Sequence, residues 1–377
     1  MAALLPALAL TFILTGCLTD NATRSDPVER SLVVMGDLQI GNANWQPIPQ
    51  ANPSGTNIPQ LRQNVADIAA LPSKPDHTFI LGDLVVGELE DQGRALEVQL
   101  NAWMTLFRGF HGGAAINLVP LPGNHEMDYS DKAVDDEAPY PYSYSVWNSW
   151  IASNRLFPFE ANGPRPGGAN PDQLVEDESR YTHSFNWGAV HIVIINTDTL
   201  STATNPATGL PYSGWIPIHW LAADLAAAQA DPAISAILLM GHRPIEVPDF
   251  VPPPAYGHTI LNLNQHQLAG DLAALLQRTP KVKAYFCSHV HAFNAARLVA
   301  APRIWQIVSG NGGAPLEKEW APKLGTTFGF AEIRLHSSGR LSVANYGRDP
   351  PSGTQPFYEA TPVPPAPAAQ REVIELD

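Results

Sequence analysis

The chain has 377 residues, 45% of them hydrophobic, enough for one large α/β domain or two modest ones around a sizeable core. Charged residues make up only 15%, a proportion common in exported proteins, and the formal net charge is -14. An acidic surface repels nucleic-acid phosphates and no run of Lys or Arg offsets it, so no nucleic-acid partner is expected.

The first 16 residues carry no charge and are mostly apolar. Leu4 to Leu14 is too short to span a bilayer as an ordinary helix and reads as the apolar region of a signal peptide. It ends in Leu14-Thr15-Gly16-Cys17, which resembles the lipobox of bacterial lipoproteins. That resemblance implies lipidation of Cys17, export to the periplasm or cell surface, and a membrane partner through the lipid. A plain signal peptide with a chance cysteine is the other reading, and the absence of Lys or Arg from the first residues departs from the usual signal pattern. Cys287 is the second of two cysteines and sits in an apolar run, so a buried strand residue is expected and no disulfide. Residues 17–30 read as a tether, 31–348 as the domain, and 349–377 as a Pro/Ala-rich tail, extended or loosely packed.

Along the domain, short apolar runs each end in a polar residue. Leu32–Met35 leads into Gly36-Asp37, Thr78–Leu81 into Gly82-Asp83, and Ile116–Val119 into Gly123-Asn124-His125. Ile237–Met240 leads into Gly241-His242, and Val282–Phe286 into Ser288-His289-Val290-His291. These read as buried strands with loops at their C-terminal ends. Helical spacing predicts helices over Ile58–Ala70, Ala95–Phe107, Pro217–Ala230 and Gln265–Gln277. A further strand is expected over Ile304–Val308, and two more, Phe328–Leu335 and Arg340–Tyr346, close the domain. Alternation of strand and helix argues α/β, with sites at the strand C-terminal ends. Residues 127–180, rich in Pro, Gly and aromatics, read as an inserted excursion. With 243–258 they are the segments expected to contact substrate.

Singly, a Gly-Asp pair is more often a turn and a lone His more often structural. Together and in this order, Asp37, Asp83, Asn124, His242, His289 and His291 resemble the site of the calcineurin-like metallophosphoesterases, purple acid phosphatases included. The likeness runs from about Leu32 to Tyr346, and Gly123-Asn124-His125-Glu126 is its most specific piece. It implies a four-layer α/β/β/α sandwich of two mixed sheets. It also implies two divalent or mixed-valence ions (Mn, Fe or Zn), which carboxylate, amide and imidazole ligands suit. By resemblance Asp83 bridges the ions, Asp37 and His291 complete one, and Asn124, His242 and His289 hold the other. The implied activity is hydrolysis of a phosphate monoester or diester of a small molecule, by attack of a metal-activated hydroxide. His125 is the expected catalytic residue, protonating the leaving group or steadying phosphoryl charge. Glu126 reads as structural.

Two departures stand out. Where the family has Asp-x-His, this chain has Asp37-Leu38-Gln39, so Gln39 is a weaker, harder ligand or none. Some manganese-dependent diphosphatases resemble this variant. Where plant and animal purple acid phosphatases carry a tyrosine ligand, this chain has Val86. A lipid-anchored binding protein with a degenerate metal site is the alternative function. Arg243 reads equally as a phosphate contact or a brace, and Ser309–Gly313 as a phosphate cradle or a tight turn. His77, His183 and His191 flank or lie in apolar strands without motif spacing and read as structural.

Overall fold

The computed structural model describes residues 26–41, 56–87, 94–109, 117–127, 142–156, 162–204, 214–248, 266–317, 320, 326–350 and 365–376. The signal peptide and Cys17 lie outside them, as do most of the tether and residues 249–258.

The first sheet takes β1 (Val28–Met35), β2 (His77–Leu81), β3 (Leu118–Leu121), β10 (Phe328–His336), β11 (Leu341–Arg348) and β12 (Ala369–Glu375), in the order β12-β11-β10-β1-β2-β3. The second takes β4 (His183–Trp187), β5 (Val190–Ile194), β6 (Ala236–Met240), β7 (Val282–Cys287), β8 (Phe293–Arg297) and β9 (Trp305–Ser309), in the order β4-β5-β6-β7-β9-β8. Both are mixed: parallel pairing joins β1, β2 and β3, and also β5, β6, β7 and β9, with antiparallel strands outside.

The period-2 alternation of these strands sets the layers. Leu32 and Val34 of β1 join Ile192 and Ile194 of β5 and Leu238 and Met240 of β6 in a core between the sheets. Their neighbours Val33 and Met35 face outward under α1 (Ile58–Ala69) and α2 (Arg94–Gly109), while Ile237 and Leu239 face α5 (Ile218–Ala230) and α6 (His266–Gln277). Both faces of the central strands are covered, so those strands read as unbroken apolar runs. The architecture is the α/β/β/α sandwich expected from the resemblance.

Helix α1 starts where Asn57 accepts the Gln60 N–H at 3.2 Å through its side chain, with Pro59 in the first turn. Its observed span and that of α5 match the periodicity to within a residue or so. Three features were not expected. Residues 28–30 of the presumed tether extend β1, because Val28 and Arg30 pair with His336 and Leu335 and Arg30 binds Asp76. The tail is not loosely packed throughout: 369–375 add β12 to the sheet through Ile374 and neighbours. Within the 127–180 excursion, α4 (Ser143–Asn154) buries Tyr144, Trp147, Trp150 and Ile151 against α2, Trp150 meeting Trp103 edge-on at 5.6 Å. Those aromatics are core, not substrate contacts. Residues 128–141 and 157–161 lie outside the described chain.

Candidate metal centre

Strand register delivers the polar residues to one place. Met35 pairs with Ile80 and Leu81 with Leu121, so Asp37, Asp83 and Asn124 leave the first sheet side by side. Met240 pairs with Phe286, so His242 and the His289–His291 segment leave the second sheet together. The loops bend sharply. Asp37, Gln39, Asp83 and His289 all have positive φ, at 54°, 44°, 51° and 67°. Each costs about 1 kcal/mol or more for a side-chain residue, and such strain collects at functional sites. Gly82 has φ +93°, and a Cβ there would lie 2.4 Å from His242 Nδ1. Only glycine allows the two loops that close.

Four ligand atoms converge around His242. Its Nε2 lies 2.9 Å from Asn124 Oδ1, 3.0 Å from His289 Nδ1 and 3.2 Å from Asp83 Oδ1. Its Nδ1 is 2.8 Å from the Leu81 carbonyl and 3.0 Å from Ser288 Oγ. A proton on Nδ1 satisfies that carbonyl, so Nε2 is the nitrogen that would face a cation once it gave up its own proton. Burial opposes charge on His242, but Asp83, Asp37 and Asp198 outweigh it and push its pKa up to about 9. Asp83 in turn, despite burial, is held well below the usual carboxylate range by His242 and His125. The pair places positive charge where a cation would supply it.

The second group lies on the other side of Asp83. Asp83 Oδ2 is 3.5 Å from Gln39 Nε2, which is 3.1 Å from His291 Nε2. His291 Nδ1 lies 2.7 Å from the Pro315 carbonyl, so it donates there and Nε2 faces inward as an acceptor. Burial pushes His291 down to about 4, ahead of the opposing Asp83, and keeps the ring neutral. The two oxygens of Asp83 thus face different groups, as a bridging carboxylate must. Asp37 is fully buried, with the backbone of His289 next to its carboxyl. Burial, with Asp83 and Glu317 adding repulsion, raises its pKa well above normal. A second buried carboxyl next to Asp83 and His242 fits a cation, which would supply the charge these carboxyls otherwise lack.

His289 and His291 do not converge by strand alternation, as a purely extended segment would require. β7 ends at Cys287, and the left-handed His289 turns the chain before β8. The turn directs His289 toward His242 and His291 toward Gln39.

His125 Nδ1 lies 2.5 Å from the Val86 carbonyl, and its Nε2 lies 3.7 Å from Asp83 Oδ2, with the side chain 25% exposed. Its side chain is partly exposed and so accessible to a substrate. Glu126 is buried and accepts backbone N–H groups of Asp83, Gly123 and Val85 at 3.0, 2.8 and 3.0 Å. It ties the Gly-Asp loop to the Gly-Asn-His-Glu loop, in keeping with a structural role. Burial and then Asp83 push it up to about 8, although the N–H groups favour its charged form.

The Ser309–Gly313 stretch supports Asp37 rather than presenting open N–H groups. Gly310 and Gly312 donate to Ala292 and Gly36 carbonyls, and a Cβ on Gly310 would lie 2.2 Å from Asp37 Oδ2. Arg243 is braced: its Nε donates to Asp198 at 2.5 Å and its Nη1 lies 3.3 Å from His289 Nε2. Asp198 escaped the sequence reading. The signal was present, since the apolar run Val190–Ile195 ends in Asn196-Thr197-Asp198 like the other site strands. His183 and His191 are buried in β4 and β5, away from the centre, and His191 binds Asp224 at 2.9 Å.

The family model for calcineurin-like phosphoesterases matches residues 30–293. No curated protein matches the chain. The fold is similar to purple acid phosphatase PPD1 from yellow lupin (Lupinus luteus) seeds, with TM-score 0.53 and 16% identity, covering 86% of this chain and 52% of that one. It is similar to a dimetal phosphatase from Danio rerio, with TM-score 0.52 and 13% identity, covering 86% and 98%. It is also similar to the structure of PhoD, with TM-score 0.55 and 13% identity, covering 94% and 71%. This chain spans about half the length of the lupin protein. At these identities the likeness concerns the fold. The family match takes in β1 through the start of β8 and every residue of the candidate centre, and the chain belongs to the calcineurin-like phosphoesterases.

Proposed function

We propose that this protein is a metal-dependent hydrolase of a phosphate monoester or diester of a small molecule, using two cations. The observation that carries the reading is Asp83: a buried carboxylate whose Oδ1 lies 3.2 Å from His242 Nε2 while its Oδ2 lies 3.5 Å from Gln39 Nε2, so that its two oxygens face the two groups of candidate ligands. Asp37, Asp83, His291 and Gln39 would hold one ion, and Asp83, Asn124, His242 and His289 the other. Of these, Asp83, His242 and His289 offer ligand atoms within 4.8 Å of one another. Bound ions would supply Lewis-acid activation of water and neutralise phosphoryl charge. The chain's own part is to fix that geometry and to manage the leaving group. His125 donates Nδ1–H to the Val86 carbonyl and its side chain is partly exposed, so a proton held on Nε2 can pass to a departing alkoxide.

Manganese is the ion we expect, since the amide at Gln39 replaces an imidazole with a harder donor. We also propose an exported lipoprotein anchored through Cys17, on the strength of the Leu14–Cys17 lipobox. Mass spectrometry of the mature N-terminus should find acylated Cys17; an unmodified N-terminus elsewhere overturns the anchoring. The activity is tested by nitrophenol release from phosphomonoester and phosphodiester chromogens with added Mn, followed by a screen of nucleotides, cyclic nucleotides and phospholipid head groups. Mn-dependent turnover is expected. Tight metal uptake with no turnover of any ester favours a binding protein instead.

A further inference from the structure

A single peptide unit stands between helix α2 and the ring of His125. His125 Nδ1–H donates to the Val86 carbonyl at 2.5 Å. The N–H of that same peptide unit, carried by Gly87, donates to Gln99 Oε1 at 2.9 Å. Gln99 is fully buried on α2, beside Leu96, Leu100 and Trp103, which join the core on the outer face of the first sheet. Gly87 has φ +68°, and a Cβ there would collide with the His125 carbonyl. The Gly87 turn therefore lies directly against the His125 backbone, and glycine allows both the turn and the approach.

Core packing alone does not call for a glutamine at this place. Leu96, Leu100 and Trp103 recur at helical spacing on a buried face, and a polar side chain among them costs stability unless it is hydrogen-bonded. What Gln99 can supply is direction. A trans peptide is planar, with its N–H and C=O pointing opposite ways, so fixing one end aims the other. Anchoring the Gly87 N–H on a buried helix aims the Val86 carbonyl at the His125 ring. An accepted N–H also polarises the carbonyl of its own unit and strengthens it as an acceptor. The neighbouring ties of this loop act elsewhere: the Val85 N–H to Glu126 and the Val86 N–H to the Ile40 carbonyl fix the two preceding peptide units.

We propose that Gln99 is a positioning residue that, through the Val86–Gly87 peptide, holds the His125 ring with Nδ1–H engaged, so that Nε2 is the nitrogen that meets the leaving group. The proposal rests on the phosphoesterase reading above and on the role of His125 in it. A plain brace of the Gly-Asp loop is the competing role, and it would act on the metal ligands rather than on His125.

Gln99→Met removes the acceptor at similar volume, Gln99→Asn keeps an amide one methylene short, and Gln99→Glu keeps an acceptor within reach. In metal-free protein the hydrogen-bonded Nδ1–H of His125 should give a downfield proton signal that His125→Ala lacks. Gln99→Met and Gln99→Asn should lose or broaden it, and Gln99→Glu should keep it. With Mn added, the first two should lower kcat on an alkyl phosphate ester by about 10–100-fold, the scale of a misplaced group. Bound metal and KM should change little, and the loss on a nitrophenyl ester should be smaller. Added to His125→Ala, Gln99→Met should cost nothing further, because residues that act as a unit are not additive. Gln99→Asn carries the test if Gln99→Met does not fold. An unchanged ring signal or unchanged alkyl-ester turnover in both variants overturns the proposal. So do equal losses on the two esters, a full further loss in the His125→Ala background, or lost metal, which makes Gln99 a brace. A Gln99→Glu protein that fails as Gln99→Met does makes packing the cause and overturns it too. A wild type that binds Mn and turns over neither ester overturns the phosphoesterase reading, and the ring signal alone then decides whether Gln99 holds His125.

Discussion

The side-chain amide nitrogen of Gln39 lies 3.1 Å from Nε2 of His291 and 3.5 Å from Oδ2 of Asp83. His291 donates Nδ1–H to Pro315, so the Gln39 amide donates to its inward nitrogen. Rotating that amide by half a turn exchanges nitrogen for oxygen in the same place. Gln39 is thus within reach, through an oxygen, of the ion proposed for Asp37, Asp83 and His291. Gln39→His should raise occupancy at that ion and move preference from Mn toward Zn. Metal-free wild type and variant, titrated with both ions, check this. Equal affinities and equal preference place Gln39 outside the coordination sphere.

His125 and the metal ligands should fail differently. His125→Ala keeps every proposed ligand, so bound metal should be unchanged. The loss in kcat should be about 10²–10⁴, the range for one acid/base group, and smaller for nitrophenol esters than for alkyl esters. Elemental analysis beside steady-state kinetics on both ester types decides it. Loss of metal in His125→Ala overturns the role.

Glu126 should matter through backbone, not chemistry. Its carboxylate is the side-chain acceptor for the N–H groups of Asp83, Gly123 and Val85. Glu126→Ala leaves three buried donors unmet, at about 1–3 kcal/mol each. Denaturant unfolding of the metal-free protein should show a loss of at least about 3 kcal/mol. A loss under about 1 kcal/mol contradicts the reading.

How much of this was legible in sequence depends on what each residue packs against. The candidate ligands were legible because each follows a strand buried on both faces, and such strands are unbroken apolar runs: Leu32–Met35, Phe79–Leu81, Ile237–Met240. β12 was not, because it is an edge strand with six of its seven residues exposed and only Ile374 buried, so its sequence has no apolar stripe. Helix α4 was hidden by its Pro-rich approach, though Tyr144, Trp147 and Ile151 stand at helical spacing. The turn at His289 depends on a positive φ at a residue that gives no glycine signal.

Glu178 gives a pH signature remote from the metals. Burial, reinforced by Glu176 and Asp177, outweighs the Tyr144 and Asn196 hydrogen bonds and raises its pKa from 4.5 to about 8. A raised folded pKa means stability that is full below about 4.5 and lost as pH rises through about 8. Each unit is worth about 1.4 kcal/mol, so the loss is on the order of a few kcal/mol. Glu178→Gln keeps an acceptor and a donor but cannot ionise. The variant should melt above wild type at pH 9, and the gap should close at pH 5. A gap that does not depend on pH contradicts the assignment.

The proposed pair of cations bridged by Asp83 is tested by binding stoichiometry. Metal-free protein titrated with Mn, with bound metal counted per chain, should reach two ions in the wild type, one held less tightly than the other. Asp83→Asn removes a charge from both ions and should weaken both, with nitrophenol release falling in step. A wild type that saturates with one ion, or an Asp83→Asn protein that still binds two with unchanged affinity, contradicts the account.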